Sequence, residues 1–213
     1  MGRSAGAAIE ELALAAGPGD VPRSRAGSPK ATWPLPGRDP ADGVGLALSG
    51  GGFRATLAGA GTIRALADVG LLSSVQYVSS VSGGSITNGA LARAWPTLEQ
   101  QAFTSASVDE HLVTPLVERI SGASLKWKVV RNIWRAVPPG TTRTHVLANA
   151  LDDWFFEGMA LSALPDDCRW AINAANLTTG TRFVFDREVV GDYVSGYRPA
   201  AGSGLRVADA VAA

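Results

Sequence analysis

Two short apolar runs alternate with two helical patterns in the first part of the folded region. The run over 44–48 and the β-branched and aromatic stretch over 75–81 predict two strands. Helical patterns over 55–69 and about 85–94 follow them. Strands and helices that alternate with short connections are typical of a parallel sheet covered by helices, so the pattern predicts an α/β fold.

Further along the chain, the pattern changes from helices to strands. The predicted helices cover 107–120, 124–137 and 142–156. The first of them opens with a capping box at Ser107 and contains Pro115, which we expect to break or restart it. The alternating segments over 169–177 and 181–186 predict two strands around a turn.

Residues 1–43 show neither pattern clearly. Half of the twelve prolines lie within 17–43, and a stretch of this composition buries too little apolar surface to offset the entropy of ordering it. We therefore predict a flexible leader over 1–43 and a folded domain over 44–213, with a lid or an anchor as the functional alternative for the leader. Glu10 and Glu11 interrupt the apolar stretch near the start, which argues against a signal peptide and for a cytoplasmic location.

Composition and charge exclude several classes of protein. The chain has 46% apolar and 18% charged residues, yet no apolar run reaches the roughly 18–20 residues of a membrane-spanning helix. The 19 basic and 19 acidic residues balance, which argues against nucleic acid as a partner. A single cysteine and two histidines give no zinc motif, so we expect no metal and no cofactor. Cys168 lies beside Asp166 and Asp167, whose charges raise a thiol pKa and argue against a thiolate nucleophile.

A glycine-rich turn follows the second predicted strand. Its sequence, SVSGG over 80–84, nearly matches the nucleophile elbow G-x-S-x-G, with Ser80 in place of the first glycine. Ser82 is then the candidate nucleophile, and the N–H of Gly83 would face the developing oxyanion. Ser85 offers a second register for the motif, but Ser82 lies directly after the strand, where an elbow belongs.

A second glycine-rich turn follows the first predicted strand. Successive glycines over 50–52 offer unhindered backbone N–H groups at a helix N-terminus, which is an anion cradle and, beside a serine nucleophile, an oxyanion hole. Arg54 adds a positive charge suited to a phosphate. Gly50, Gly52 and Ala55 also fit the dinucleotide fingerprint, but the acidic residue that this fingerprint requires at the end of the second strand is absent.

The two turns, SGGGFRA over 49–55 and SSVSGGS over 79–85, resemble the patatin-like phospholipase family. The resemblance implies a three-layer α/β/α fold with a mainly parallel central sheet. It also implies hydrolysis of acyl esters of phospholipids or related lipids through a Ser–Asp dyad and an acyl-enzyme. Carried onto this chain, it makes Ser82 the nucleophile. The implied oxyanion loop comprises Gly50, Gly51, Gly52, Phe53 and Arg54, and the implied elbow residues are Ser80, Gly83 and Gly84.

The family's catalytic Asp lies in an Asp-Gly-Gly or Asp-Gly-Ala motif, and residues 1–213 contain no such motif. The chain stops within VADAVAA, a helical pattern without a cap. We therefore expect the protein to continue beyond Ala213 and to supply the base there. On that expectation, residues 1–213 alone are inactive or nearly so.

Three hypotheses for the function remain after this comparison. The first is a lipid acyl hydrolase whose partner is a lipid or acyl ester, with peripheral membrane contact as an option. Trp127 and Trp134 of the basic helix over 124–137 are candidates for that contact, although tryptophans of this kind are more often core residues. The second hypothesis is a non-catalytic lipid-binding relative, and the third and weakest is a dinucleotide-binding domain.

Overall fold

The computed structural model describes residues 43–122 and 142–213. The predicted leader, up to residue 42, and the helix predicted over 124–137 lie outside these residues.

The chain order of the elements alternates strands and helices at first and then forms a run of strands. The first four are β1 (Val44–Leu48), α1 (Gly52–Asp68), β2 (Val75–Val81) and α2 (Gly83–Gln100). Helix α3 comprises Ser105–Val108, a π-helical turn at Asp109–Val113 and a further α-helical stretch over 114–122. The remaining elements are α4 (Arg143–Leu151), a π-helical turn (Asp152–Phe156), β3 (Arg169–Asn176), β4 (Thr181–Phe185), β5 (Val189–Asp192), β6 (Gly196–Pro199) and α5 (Val207–Ala212). Short 3₁₀ turns lie at Leu72–Ser74 and Leu161–Ala163.

The six strands form one sheet in the order β1-β2-β3-β4-β5-β6. Strands β1, β2 and β3 are parallel to each other, whereas β3 to β6 pair in an antiparallel manner. The predicted α/β fold class is confirmed. Leu48 pairs with Ser80, so β1 and β2 end side by side, and the turns that follow them leave the sheet at the same edge.

The core lies between the parallel half of the sheet and the helices α1 and α2. Every second residue of β1 points into it, with Leu46 and Leu48 buried. From β3, the indole of Trp170 packs edge-on against Trp95 of α2, with ring centres 5.1 Å apart. Trp95 in turn contacts Phe103, which follows α2. Offset and edge-on ring contacts of this kind add to the burial of apolar surface.

Helix α3 differs from its prediction in two ways. It begins at Ser105, because the side chain of Thr104 accepts a hydrogen bond from the N–H of Ser107 and caps the helix three residues before the expected cap. The helix also continues through Pro115 instead of breaking there. A proline lacks the N–H that would bond four residues back, and the π-helical turn just before Pro115 re-routes the hydrogen bonds at that point.

The strands predicted around the turn near 178–180 are confirmed as β3 and β4, but β5 and β6 were not predicted. Each has four residues, which is too short for an alternating pattern to be recognised. The turn between them is organised by Asp192, whose carboxylate accepts hydrogen bonds from the N–H groups of Val194 and Ser195. A carboxylate that bonds its own backbone two or three residues on is a turn former.

A buried ion pair in the antiparallel half gives a test of the fold. The side chains of Arg169 and Asp186 are 5% and 3% exposed, and they approach to 2.9 Å. We expect Asp186→Ala to lower the free energy of unfolding by about 3–5 kcal/mol, because the buried guanidinium loses its ion pair with this carboxylate. Urea denaturation followed by circular dichroism measures this loss.

The matched control is Asp166→Ala, which removes the exposed ion pair with Arg187. Exposed pairs contribute up to about 1 kcal/mol, so this variant should unfold close to the wild-type urea concentration. Equal losses in Asp186→Ala and Asp166→Ala would contradict the importance of the buried pair.

Candidate active site

The two glycine-rich turns meet backbone to backbone at the carboxyl ends of β1 and β2. A Cβ atom added to Gly83 would lie 2.2 Å from the carbonyl oxygen of Gly52. One added to Gly84 would lie 2.6 Å from the carbonyl oxygens of both Leu48 and Ser49. Only glycine fits at positions 83 and 84, and this close approach explains why the motif has glycine there.

Ser82 lies at the sharp turn between β2 and α2. Its backbone has φ 51° and ψ −123°, outside the left-handed helical region where most non-glycine residues with positive φ are found. Such strain costs about 1–3 kcal/mol and is concentrated at functional sites. The Ser82 side chain is exposed, and a Cβ added to Gly50 would lie 3.2 Å from its Cβ. The turn after β1 therefore adjoins the candidate nucleophile, as the motif predicts.

Ser85 lies in the first turn of α2 and is 1% exposed. The hydroxyl of Ser80 donates to its Oγ over 3.1 Å. Because a nucleophile must reach its substrate, this burial favours Ser82 over Ser85 as the candidate.

Ser80 takes part in a buried polar cluster beneath the elbow. The side-chain amide of Asn88 donates to Ser80 Oγ over 2.8 Å. Asn173 of β3 donates to the carbonyl oxygen of Ser80 over 2.9 Å and to Ser79 Oγ over 3.0 Å. The hydroxyl that replaces the family's glycine is thus satisfied by buried partners. Asn88 and Asn173 were not predicted from the sequence, since their partners lie on other elements.

The turn after β1 supplies the candidate oxyanion loop. Gly51 and Gly52 have positive φ angles, 139° and 63°, which suit glycine, and both residues are exposed. The side chain of Phe53 packs against the core. Arg54 is exposed and has no hydrogen bond or ion pair with the described residues. Helices α1 and α2 both begin here, and their N-termini favour negative charge.

No carboxylate of the described residues contacts the Ser82 hydroxyl, which has no hydrogen-bond partner there. The buried carboxylates outside the motifs have other partners. Asp186 bonds Arg169, Asp192 accepts from its own turn, and both Asp152 and Asp209 bond Arg206. Each of these carboxylates is therefore engaged by other groups of the described residues.

Other reactive side chains do not form a second site in the described part of the chain. Burial is the main cause that raises the pKa of the Cys168 thiol to about 12, and the charge of Asp167 adds a smaller effect. The sequence-based explanation, which relied on the neighbouring aspartates, therefore named the minor cause.

Residues 43–122 and 142–213 contain no group of three His, Cys, Asp or Glu side chains placed to share a metal ion. Within the same ranges, no helix is long and apolar enough to cross a membrane.

The segment that carries this geometry is similar to known enzymes. Residues 44–135, which include both glycine-rich turns and start with β1, match the family model described as the lysophospholipase catalytic domain. The resemblance to patatin-like phospholipases is confirmed. The match spans less than half of the chain, and β3 to β6 lie outside it.

One curated relative is lysophospholipase 2 of Saccharomyces cerevisiae, which is 30% identical over 115 residues. The alignment covers 49% of this chain and 14% of the yeast protein. This chain therefore corresponds to a small part of that relative. No solved structure is a match.

Gly83 provides a test of the contact between the turns. Gly83→Ala places a methyl group against the carbonyl of Gly52, and overpacking of this kind costs about 1–3 kcal/mol or displaces the turn. We expect a lower melting temperature than that of the wild-type protein, measured by differential scanning fluorimetry.

The control is Gly61→Ala in α1, where an added Cβ meets nothing within 4 Å and the glycine is exposed. Alanine favours a helix over glycine by up to about 1 kcal/mol, so this variant should melt at or above the wild-type temperature. A Gly83→Ala protein as stable as Gly61→Ala would rule out the close contact.

Proposed function

We propose that this domain belongs to a serine acyl hydrolase that cleaves acyl esters of lysophospholipids, phospholipids or related lipids. The observation that carries the proposal is the exposed, strained Ser82 beside the glycine turn of β1. The similarity of residues 44–135 to lysophospholipase catalytic domains supports a lipid ester as the substrate.

In the proposed reaction, Ser82 Oγ attacks the ester carbonyl carbon, and the carbonyl oxygen becomes an oxyanion. The backbone N–H groups of the loop over 50–53 and of Gly83 stabilise that negative charge, together with the two helix N-termini. The ester C–O bond then breaks, and the leaving alcohol takes the proton that the base removed from Ser82. A water molecule hydrolyses the acyl-enzyme, which releases the fatty acid and regenerates the serine.

The proposed reaction requires a base that accepts the Ser82 proton. The family resemblance assigns this role to an Asp in an Asp-Gly-Gly or Asp-Gly-Ala motif, which residues 1–213 do not contain. A serine hydroxyl without a base is almost fully protonated at pH 7 and is a weak nucleophile. Residues 1–213 alone are therefore expected to have little activity, and the tests below use the full-length gene product.

Arg54 is proposed to bind the phosphate of the lipid. It is the last residue of the implied oxyanion loop, and its guanidinium is exposed and not engaged by a described carboxylate. A free guanidinium suits two oxygens of one phosphate. The proposal requires no metal and no cofactor. It also includes a cytoplasmic location and contact between the exposed face of the two glycine-rich turns and a lipid surface.

A second candidate function is a non-catalytic lipid-binding domain of the same fold. The observation in its favour is the lack of a described carboxylate in contact with Ser82. A dinucleotide site is disfavoured, because β2 ends in Ser79, Ser80 and Val81 without an acidic residue for a ribose.

Labelling with a fluorophosphonate probe separates these functions. In the full-length gene product, Ser82→Ala should abolish labelling and lower kcat on lysophosphatidylcholine by a factor of about 10⁴–10⁶. Ser85→Ala serves as the control with a buried hydroxyl and should keep its labelling. Loss of labelling only in Ser85→Ala would move the nucleophile, and a folded wild-type protein that never labels would favour the non-catalytic domain.

Arg54→Gln tests the proposed phosphate contact. We expect kcat/KM for lysophosphatidylcholine to fall about 10- to 100-fold, because a charged hydrogen bond to the phosphate is lost. A neutral p-nitrophenyl ester should be affected much less. Arg198→Gln, which changes an exposed arginine on β6 at the far edge of the sheet, is the matched control. Equal losses on both substrates would assign Arg54 to the oxyanion instead.

A further inference from the structure

Two threonines join the helices that follow the glycine turns. The hydroxyl of Thr56 on α1 donates to the carbonyl oxygen of Gly83, the first residue of α2, over 2.7 Å. The hydroxyl of Thr87 on α2 donates to the carbonyl oxygen of Thr56 over 2.8 Å. Both threonine side chains are fully buried. Each helix therefore gives one side-chain hydrogen bond to the backbone of the other.

The helix faces around these bonds allow a close approach. Gly59 lies one turn after Thr56, and a Cβ added there would be 3.1 Å from Thr87 Oγ1. Gly83 lies one turn before Thr87 and is in contact with Gly52. Residues three or four apart share a helix face, so each helix contributes one glycine and one threonine to this contact.

The position of the two bonds relates them to the proposed chemistry. Thr56 Oγ1 also lies 3.3 Å from the carbonyl oxygen of Gly52, so its hydroxyl lies between the first residue of α1 and the first residue of α2. Gly52 belongs to the proposed oxyanion loop, and Gly83 directly follows Ser82. A shift of about 1 Å in catalytic geometry can cost a factor of 10² in rate.

We propose that Thr56 and Thr87 are positioning residues that set the distance between the oxyanion loop and the nucleophile elbow. This inference rests on the proposed hydrolase function and deepens it, since neither hydroxyl would touch the substrate. Both bonds are buried, where an amide carbonyl has no competing water. They hold the strained Ser82 turn against the first turn of α1.

The test compares Thr56→Val and Thr87→Val with the wild-type, full-length gene product. Each change removes one hydroxyl at nearly constant volume. We expect kcat on lysophosphatidylcholine to fall about 10- to 100-fold with little change in KM, and the rate of fluorophosphonate labelling to fall in parallel. Thr56→Ser restores the hydroxyl and should recover most of kcat. The kcat of the double variant should be only slightly below that of the less active single variant, because both hydrogen bonds stabilise the same contact between the helices.

The matched control is Thr62→Val, on the same helix. The exposed hydroxyl of Thr62 makes only the bond to the carbonyl oxygen four residues back, Ala58, over 3.0 Å. This variant should keep kcat within about twofold of the wild-type value, as expected for a change far from the reacting atoms. If folded Thr56→Val and Thr87→Val retain wild-type kcat while Ser82→Ala is inactive, the positioning role is wrong and the hydrolase function stands.

Hydrogen exchange measured by mass spectrometry decides the inference independently of activity. Amides over 50–56 and 82–87 should exchange faster in Thr56→Val and Thr87→Val than in Thr62→Val. If the wild-type protein has no Ser82-dependent turnover, the proposed function fails. If amide exchange in Thr56→Val and Thr87→Val equals that in Thr62→Val, the proposed role of the threonine contact is wrong. If Thr56→Val does not fold, Thr87→Val and Thr56→Ser provide the same comparison.

Discussion

The close contact between the backbones of Gly83 and Gly52 is the constraint on which the rest of the site depends. No side chain fits between these turns, so the ends of β1 and β2 and the first residues of α1 and α2 lie next to each other. The contact also places two helix N-termini beside Ser82, where their partial positive charges act together. A strained serine backbone persists only when its surroundings determine it strongly, and here the neighbouring turn provides that support.

The buried polar cluster around Ser80 lies directly beneath this contact. Apolar side chains could fill the same space without needing hydrogen-bond partners. The amide of Asn88 donates there to Ser80 Oγ and to the carbonyl oxygen of Ala171 on β3, and the side chains of Ser80 and Asn88 are at most 2% exposed. The side-chain oxygens of Asn88 and Asn173 are buried without a partner among the described residues. Unsatisfied buried acceptors cost stability. The cluster is therefore better explained as a set of hydrogen bonds that fixes the position of the end of β2 than as a source of folding stability.

The two halves of the sheet differ in what they contribute. The parallel half carries both glycine turns and falls largely within the segment similar to lysophospholipase catalytic domains. The antiparallel half contains the ion pair of Arg169 and Asp186 and the turn organised by Asp192. Within the described residues, Arg169, Asp186 and Asp192 of that half are hydrogen-bonded inside the fold, whereas Arg54 in the parallel half has no hydrogen bond or ion pair. The candidate nucleophile and the candidate oxyanion loop lie at the edge where β1 and β2 end.

The sequence alone determined the α/β class, the strands β1 to β4 and the two glycine turns, because these depend on local periodicity and short motifs. It also ranked Ser82 above Ser85, and burial of Ser85 agrees with that order. Only the tertiary structure decided the passage of α3 through Pro115 and the pairing of the short strands β5 and β6. The same is true of the reciprocal bonds of Thr56 and Thr87, whose partners are 27 and 31 residues distant along the chain. Such contacts depend on how helices and strands pack, and no local pattern in the sequence records that packing.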